Sequence, residues 1–326
     1  MNLSSAFFLK GLLFYNYPVS SNASAEVAEP KYLCWLVAVL SFLGFVENMM
    51  VFWILGFQLK RNSFTVYILN LAVADAALLF GICIVSVCYA SLDKSSKIKF
   101  YIVEAVEIAL LFGYNTGLYL LTAISVERCL SVLFPIWYRC QRPKNQSSIV
   151  CLLLWVLSVL MTGIEYSFCL QENGFSAECW IVSVVICCET FLVFTPIMVL
   201  CSMTLAIKVH QTSWNSPSSN LYLTILLTVI MFFLCAMPLR ILYILLYMYH
   251  FRVLYRIFPI VLLLSSINSG ANPLVYFFVG SSAKKRFKEP LKEVLKRVFD
   301  CECVCETEIE YTEDTVDDTE TTGSKF

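Results

Sequence analysis

Residues 64–92 read FTVYILNLAVADAALLFGICIVSVCYASL, an apolar run interrupted near its middle by one carboxylate, Asp75. A spanning helix needs about 20 predominantly apolar residues, and this run exceeds that length. In hydrocarbon the backbone must satisfy its hydrogen bonds within the segment, so a run of this kind reads as a membrane helix. Six more surround it, and the spans read 33–57, 64–92, 100–133, 149–169, 180–207, 221–248 and 257–279. The connections are short and leave no room for a second folded domain or for internal repeats. The expected fold class is an all-α membrane protein, a seven-helix transmembrane bundle.

Composition agrees. Of 326 residues, 59% are hydrophobic and 14% charged, against about 45–50% and about 25% in soluble proteins; mean hydropathy is +0.74. A soluble domain has too little interior for so much apolar surface, which also excludes a disordered chain and a basic nucleic-acid-binding domain. The net charge of -1 conceals a split: residues 301–326 hold nine acids and one Lys, while the first 300 residues hold 22 basic and 15 acidic residues. The tail is an acidic appendage on a basic body. Fifteen cysteines and two histidines include no CxxC pair, so no metal centre is expected. Cys83, Cys151, Cys187, Cys188, Cys201 and Cys235 lie inside apolar runs, where Cys acts as a small filler. No Ser/His/Asp, HExxH or P-loop pattern is present, so no enzyme is expected.

Lys and Arg near the spans set the orientation. The side carrying Lys60, Arg61, Arg128, Arg139, Arg142 and Lys208 has fourteen basic residues, the other side seven. The richer side is expected to be cytoplasmic, with the N-terminus outside, in the plasma membrane. Sequons at Asn2 and Asn22 suit an extracellular segment over 1–32. Residues 6–15 are apolar but lack a basic n-region, so no cleaved signal is expected. The spans fill 33–279. Over 280–300, Phe287, Leu291, Val294, Leu295 and Val298 recur at helical spacing among lysines, which predicts an amphipathic helix on the inner leaflet lipid. Cys301, Cys303 and Cys305 follow as candidates for palmitoylation, and 301–326 reads as a disordered acidic tail.

Polar groups inside spans are costly and are functional candidates. Asn48, Asp75, Asn268 and Asn272 form one such set, which suits either a water or cation site or a hydrogen-bond network joining helices. Glu127 and Arg128 close span three. Pro238 and Pro273 each remove a backbone bond and place hinges.

In order along the chain, Asn48, Leu71-Ala72-Val73-Ala74-Asp75, Glu127-Arg128-Cys129, Trp155, Pro196, Pro238 and Asn272-Pro273-Leu274-Val275-Tyr276 resemble the anchors of the rhodopsin-like G protein-coupled receptors. Phe112–Tyr119 running into Ser125–Val132, with Pro135-Ile136-Trp137-Tyr138-Arg139-Cys140, is similar to the Mas-related receptor family within that class. The run Ala236–Arg240 and the loop around Trp214 narrow the resemblance to one member of that family. The resemblance implies a heterotrimeric G protein of Gq/11 or Gi/o type as partner, with receptor kinases and arrestin acting on the tail. It implies that Glu127, Arg128, Pro238, Asn272, Pro273 and Tyr276 carry coupling and activation. It further implies that Asp75, Asn268 and Asn272 form a sodium-and-water site, with Na+ as an allosteric ion, and that Cys169 and Cys179 are disulfide-bonded. Three positions depart from the pattern: Ala236 replaces the usual tryptophan before Pro238, Thr204 replaces a span-five tyrosine, and Gly117 replaces a further sodium ligand.

Glu104, Glu107, Glu165, Glu189 and Arg240 are charged residues of the outer half, and buried charges need partners. Either Arg240 pairs with one of these glutamates, or both signs line a pocket for a zwitterion, with an amine at Glu165 and a carboxylate forked on Arg240. The expected function is a cell-surface receptor for a short peptide or small zwitterionic ligand. The alternatives are an orphan or constitutively active member, and a transporter or channel, which also uses intramembrane charges.

Overall fold

A computed structural model of the chain describes residues 31–59, 63–91, 97–143, 145–170, 177–211, 225–249 and 257–282. Seven helices in it are long and apolar enough to cross a membrane: Lys31–Gln58, Ser63–Ser91, Ala105–Leu133, Gln146–Cys169, Ala177–Ile207, Ile225–Leu246 and Phe258–Val275, here spans one to seven. They match the expected runs to within a few residues. Helix extends furthest beyond these bounds in span three, over Lys97–Leu133, and in span seven, over Phe258–Ser282. A short helix, Pro135–Cys140, follows span three. No strand occurs among the described residues. The sequons at Asn2 and Asn22, the amphipathic segment from 283 onward, Cys301, Cys303, Cys305 and the acidic tail lie outside the described residues.

Spans two and three form the interior. The protein buries 67% and 72% of their apolar windows, against 22% and 17% for spans four and five. The latter therefore present most of their surface outward, with Leu152, Leu153, Leu192 and Leu200 exposed. Acyl chains are as apolar as leucine, so helix association rests on close packing and interhelical hydrogen bonds. Span one shows both. A Cβ on Gly44 would lie 3.1 Å from the Gly270 Cα, so glycine is what lets spans one and seven approach. Ser41 and Ser266 hydroxyls meet at 2.9 Å, and Asn48 Nδ2 donates to the Ser269 carbonyl at 3.0 Å. Trp155 Nε1 donates to Asn70 Oδ1 at 2.9 Å and joins span four to span two.

Spans five and six share a device. Each contains a π-helical segment, Cys188–Phe194 and Phe232–Ala236. Thr195 N–H then bonds the Thr190 carbonyl and Met237 N–H the Phe232 carbonyl, five residues back, and Pro196 and Pro238 come next. A proline ring clashes with the carbonyl four residues before it and lacks the N–H to bond it. The wider turn relieves that crowding and sets the rotation of Glu189 and Arg240. Cys169 and Cys179 are disulfide-bonded across the connection between spans four and five, with Cα atoms 4.9 Å apart.

Candidate functional site

Polar side chains collect at three levels of the bundle. Nearest the disulfide, Arg240 of span six is 2% exposed and Glu165 of span four 0%. One guanidinium nitrogen, Nη1, donates to both carboxylate oxygens of Glu165, at 2.9 and 3.0 Å. Nη2 donates to Asn115 Oδ1 of span three at 2.5 Å, and Asn115 Nδ2 donates to Thr162 Oγ1 at 3.1 Å. The Tyr114 ring lies beneath the guanidinium, 5.1 Å from Cζ to centroid. Of the two expected arrangements, Arg240 adopts the internal pair, and Glu165 is the glutamate it takes. Glu189 accepts a hydrogen bond from Tyr119 OH, whose ring stacks at 4.5 Å on Phe194. Glu107 is buried on span three at 1% exposure. Glu104 lies in the same helix, and its side chain is outside the described residues. The structure thus joins Arg240 to Glu165 and leaves Glu189 on a separate tyrosine.

At mid-bundle, Asn272 Nδ2 donates to Asp75 Oδ2 at 2.7 Å. Both line a cavity of about water size together with Gly117, Ser265, Asn268 and Ser269. Asn268 Oδ1 is buried and has no hydrogen-bond partner among the described residues. A carboxylate and an unpartnered amide oxygen on one cavity suit a water or a small cation. Gly117 widens the space, since a Cβ there meets nothing within 4 Å. Tyr114 and Phe232 also line the cavity, with ring centroids 5.8 Å apart. Tyr114 OH donates to Met237 Sδ at 3.4 Å. Tyr114 therefore touches both the Arg240 level and the Asp75 level.

At the far end, Glu127 is 5% and Arg128 3% exposed. Glu127 Oε1 accepts hydrogen bonds from Tyr67 OH at 2.9 Å and from Arg142 Nη2 at 2.8 Å. The Arg128 guanidinium stacks on the Phe64 ring, with Cζ 3.6 Å from the centroid. The Tyr276 side chain lies outside the described residues, while Asn272 and Pro273 are described and Pro273 sits inside the helix of span seven.

The family model for the 7 transmembrane receptor (rhodopsin family) matches residues 47–276, a stretch that takes in all three polar levels. The chain belongs to the rhodopsin-family seven-transmembrane receptors. Proto-oncogene Mas of Rattus norvegicus is 50% identical over 285 residues, 86% of this chain and 88% of that protein. Proto-oncogene Mas of Homo sapiens is 52% identical over 268 residues, 81% and 82% of the two chains. Mas-related G-protein coupled receptor member H of Mus musculus is 41% identical over 300 residues, 87% and 92%. Mas is the member to which Ala236–Arg240 and the Trp214 loop narrow the resemblance, and the narrowing agrees with these identities. As a G protein-coupled receptor by family, the chain is a multi-pass plasma-membrane protein.

Within this receptor, sequence reasoning missed the partners of the charged residues: Tyr67 and Arg142 on Glu127, Tyr119 on Glu189 and Asn115 on Arg240. Arg142 counted only as one of the basic residues that set orientation, yet it bonds Glu127. Its place fifteen residues beyond that acid, just before span four, was the available signal. Asn115 was passed over, although a carboxamide within an apolar run marks a site wanting a polar partner, and Arg240 supplies it.

Proposed function

We propose that this receptor binds a short peptide or small zwitterion from outside the cell and activates a heterotrimeric G protein of the Gq/11 or Gi/o type within it. The disulfide end is then extracellular, and the Glu127–Arg128 end cytoplasmic. The Arg240–Glu165 pair carries the ligand reading: it holds both signs of charge in the outer half, between spans four and six. A ligand bearing an amine and a carboxylate exchanges partners with it, the amine meeting Glu165 and the carboxylate Arg240, with Glu104, Glu107 and Glu189 adding negative charge to the same half. Such an exchange releases span six from span four near the hinge at Pro238, and Asn272, Pro273 and Tyr276 carry the change toward Arg128. Asp75, Asn268 and Asn272 are the residues that would hold Na+ in the resting state, where the ion would supply positive charge beside Asp75. Receptor kinases and arrestin act on the tail.

The test is a screen of short peptides and free amino acids on cells expressing the chain, reading calcium and cAMP. The double variant Glu165→Gln/Arg240→Met should lose potency by about tenfold or more at matched surface level, since hydrogen bonds to charged groups contribute about 1.5–3 kcal/mol each. Undiminished potency in that variant would remove the pair from ligand recognition.

A further inference from the structure

Glu47 stands inside span one, 16 residues after Lys31 and 11 before Gln58. At about 1.5 Å of rise per residue it lies roughly 15 Å or more from either end of the helix, farther than its side chain can reach. The residues around it are engaged elsewhere. Ser41, Gly44 and Asn48 form the buried face that meets span seven, and Asn48 Nδ2 donates to the Gly44 and Ser269 carbonyls at 2.9 and 3.0 Å. The Phe45 ring packs on Phe80 of span two, with centroids 5.6 Å apart; Glu47, two residues on, is turned about 200° from it. Glu47 is half-buried, and among the described residues it makes no hydrogen bond or ion pair. Leu36, Leu40, Leu43 and Met50 lie on the same strip and are exposed. Their spacing with Glu47 alternates between 4 and 3 residues, the seam along which one helix packs on another.

A carboxyl in hydrocarbon is costly without a polar partner. We propose that this strip of span one is a self-association surface, on which Glu47 pairs with Glu47 of a second copy of the chain. Membrane geometry selects a second copy. All copies insert with the same orientation, so a two-fold axis along the membrane normal sets each residue of the seam against itself at equal depth. Two carboxyls that meet in this way satisfy each other, since in the protonated form each has an O–H donor and an acceptor oxygen. Arg128 and Arg240 of the second copy are buried and out of reach, so neither competes for Glu47. The rest of the seam is leucine and methionine, which lipid covers equally well. The polar pair therefore decides partner and register, as a single polar residue does in a coiled-coil seam.

The test uses the full chain reconstituted in liposomes, part labelled with a donor dye and part with an acceptor, with energy transfer read as lipid is added. Wild type should show transfer that falls on dilution along a monomer–dimer curve. Glu47→Leu should raise the dissociation constant about three- to twentyfold, the range of an interhelical polar bond in a membrane. Glu47→Gln keeps a donor and an acceptor and should stay within about twofold of wild type. The second readout maps the face. Under a copper–phenanthroline oxidant, Leu43→Cys should form a cross-linked dimer above the wild-type background, and Phe42→Cys should not, although Phe42 is equally exposed on another side of the helix. Should Glu47→Leu fail to fold, Glu47→Gln and the cross-links still decide. No transfer in wild type, equal dissociation constants for wild type and Glu47→Leu, or a Glu47→Gln loss as large as that of Glu47→Leu would each overturn the pairing. Equal cross-linking at positions 42 and 43 would overturn the seam. Cross-linking of Leu43→Cys in cell membranes to a different protein in place of a second copy would overturn the choice of partner.

Discussion

Arg240 is among the largest fully buried side chains of the described residues, and its guanidinium donates to the Glu165 carboxylate and the Asn115 carboxamide. Removing a single partner of such a pair leaves a buried charge uncompensated, at a cost of about 3–5 kcal/mol, whereas removing both is often near neutral. Glu165→Gln and Arg240→Met should each lower the thermal midpoint of the purified receptor, and the double variant should melt above both. A double variant that falls by the sum of the singles would show that the two side chains act separately. Asn115→Ala should destabilise less, by about 1–3 kcal/mol, since it removes a neutral acceptor from a charge that keeps Glu165. The charged residues themselves were legible in the sequence, because Glu and Arg inside apolar runs stand out. Their pairing was not. Glu104, Glu107, Glu165 and Glu189 were all open to Arg240 until the rotation of each helix was known, and rotation depends on wide turns that composition does not reveal. The same reason hid Arg142: a loop arginine reads as a topology signal until span four brings Ser147 beside Glu127.

At the scale of elements, helix contacts separate the glycines. A Cβ on Gly44 would press on the Gly270 Cα and on Leu79 Cδ1, both at 3.1 Å. One of those atoms is backbone, so spans one and seven must part. Gly44→Val should therefore cost about 1–3 kcal/mol, read as a lower thermal midpoint, while Gly117→Ala, with open space around it, should leave the midpoint unchanged or raise it. An equal loss at both positions would contradict the helix arrangement. The disulfide belongs to this scale too, because it closes the loop between spans four and five over a sequence separation of 10. Cys169→Ser/Cys179→Ser should lose about 2–4 kcal/mol, and peptide mapping should recover these two cysteines joined. The spans were readable from apolar length alone. The π-helical turns before Pro196 and Pro238 were not, since a shift in hydrogen-bond register leaves no mark on hydropathy; only the prolines hinted that the backbone there needed room.

For the whole molecule, charge is distributed to suit a receptor. On the proposed reading the basic side faces the cytoplasm, and in the acidic tail the acids from Glu306 to Glu320 alternate with Thr307, Thr312, Thr315 and Thr319. Each phosphate would add a charge of about -1.5 to -2, so a chain truncated after Phe299 should lose ligand-driven internalisation; unchanged internalisation would mean that the tail only solubilises. No Asp or Glu occurs from Lys208 through Tyr222, so the stretch leading into span six offers Arg128 no acidic latch, and Glu127 is engaged by Arg142 and Tyr67. A receptor with that arrangement should populate its active state without ligand. The most direct measurement is therefore nucleotide exchange on purified Gq/11 and Gi/o heterotrimers by the chain reconstituted in nanodiscs. Exchange should be faster than with empty nanodiscs before any ligand is added, and lower when Ser218→Glu supplies a new partner for Arg128. Exchange at the empty-nanodisc rate with both heterotrimers, together with solute flux when the same chain is placed in liposomes, would contradict the receptor reading.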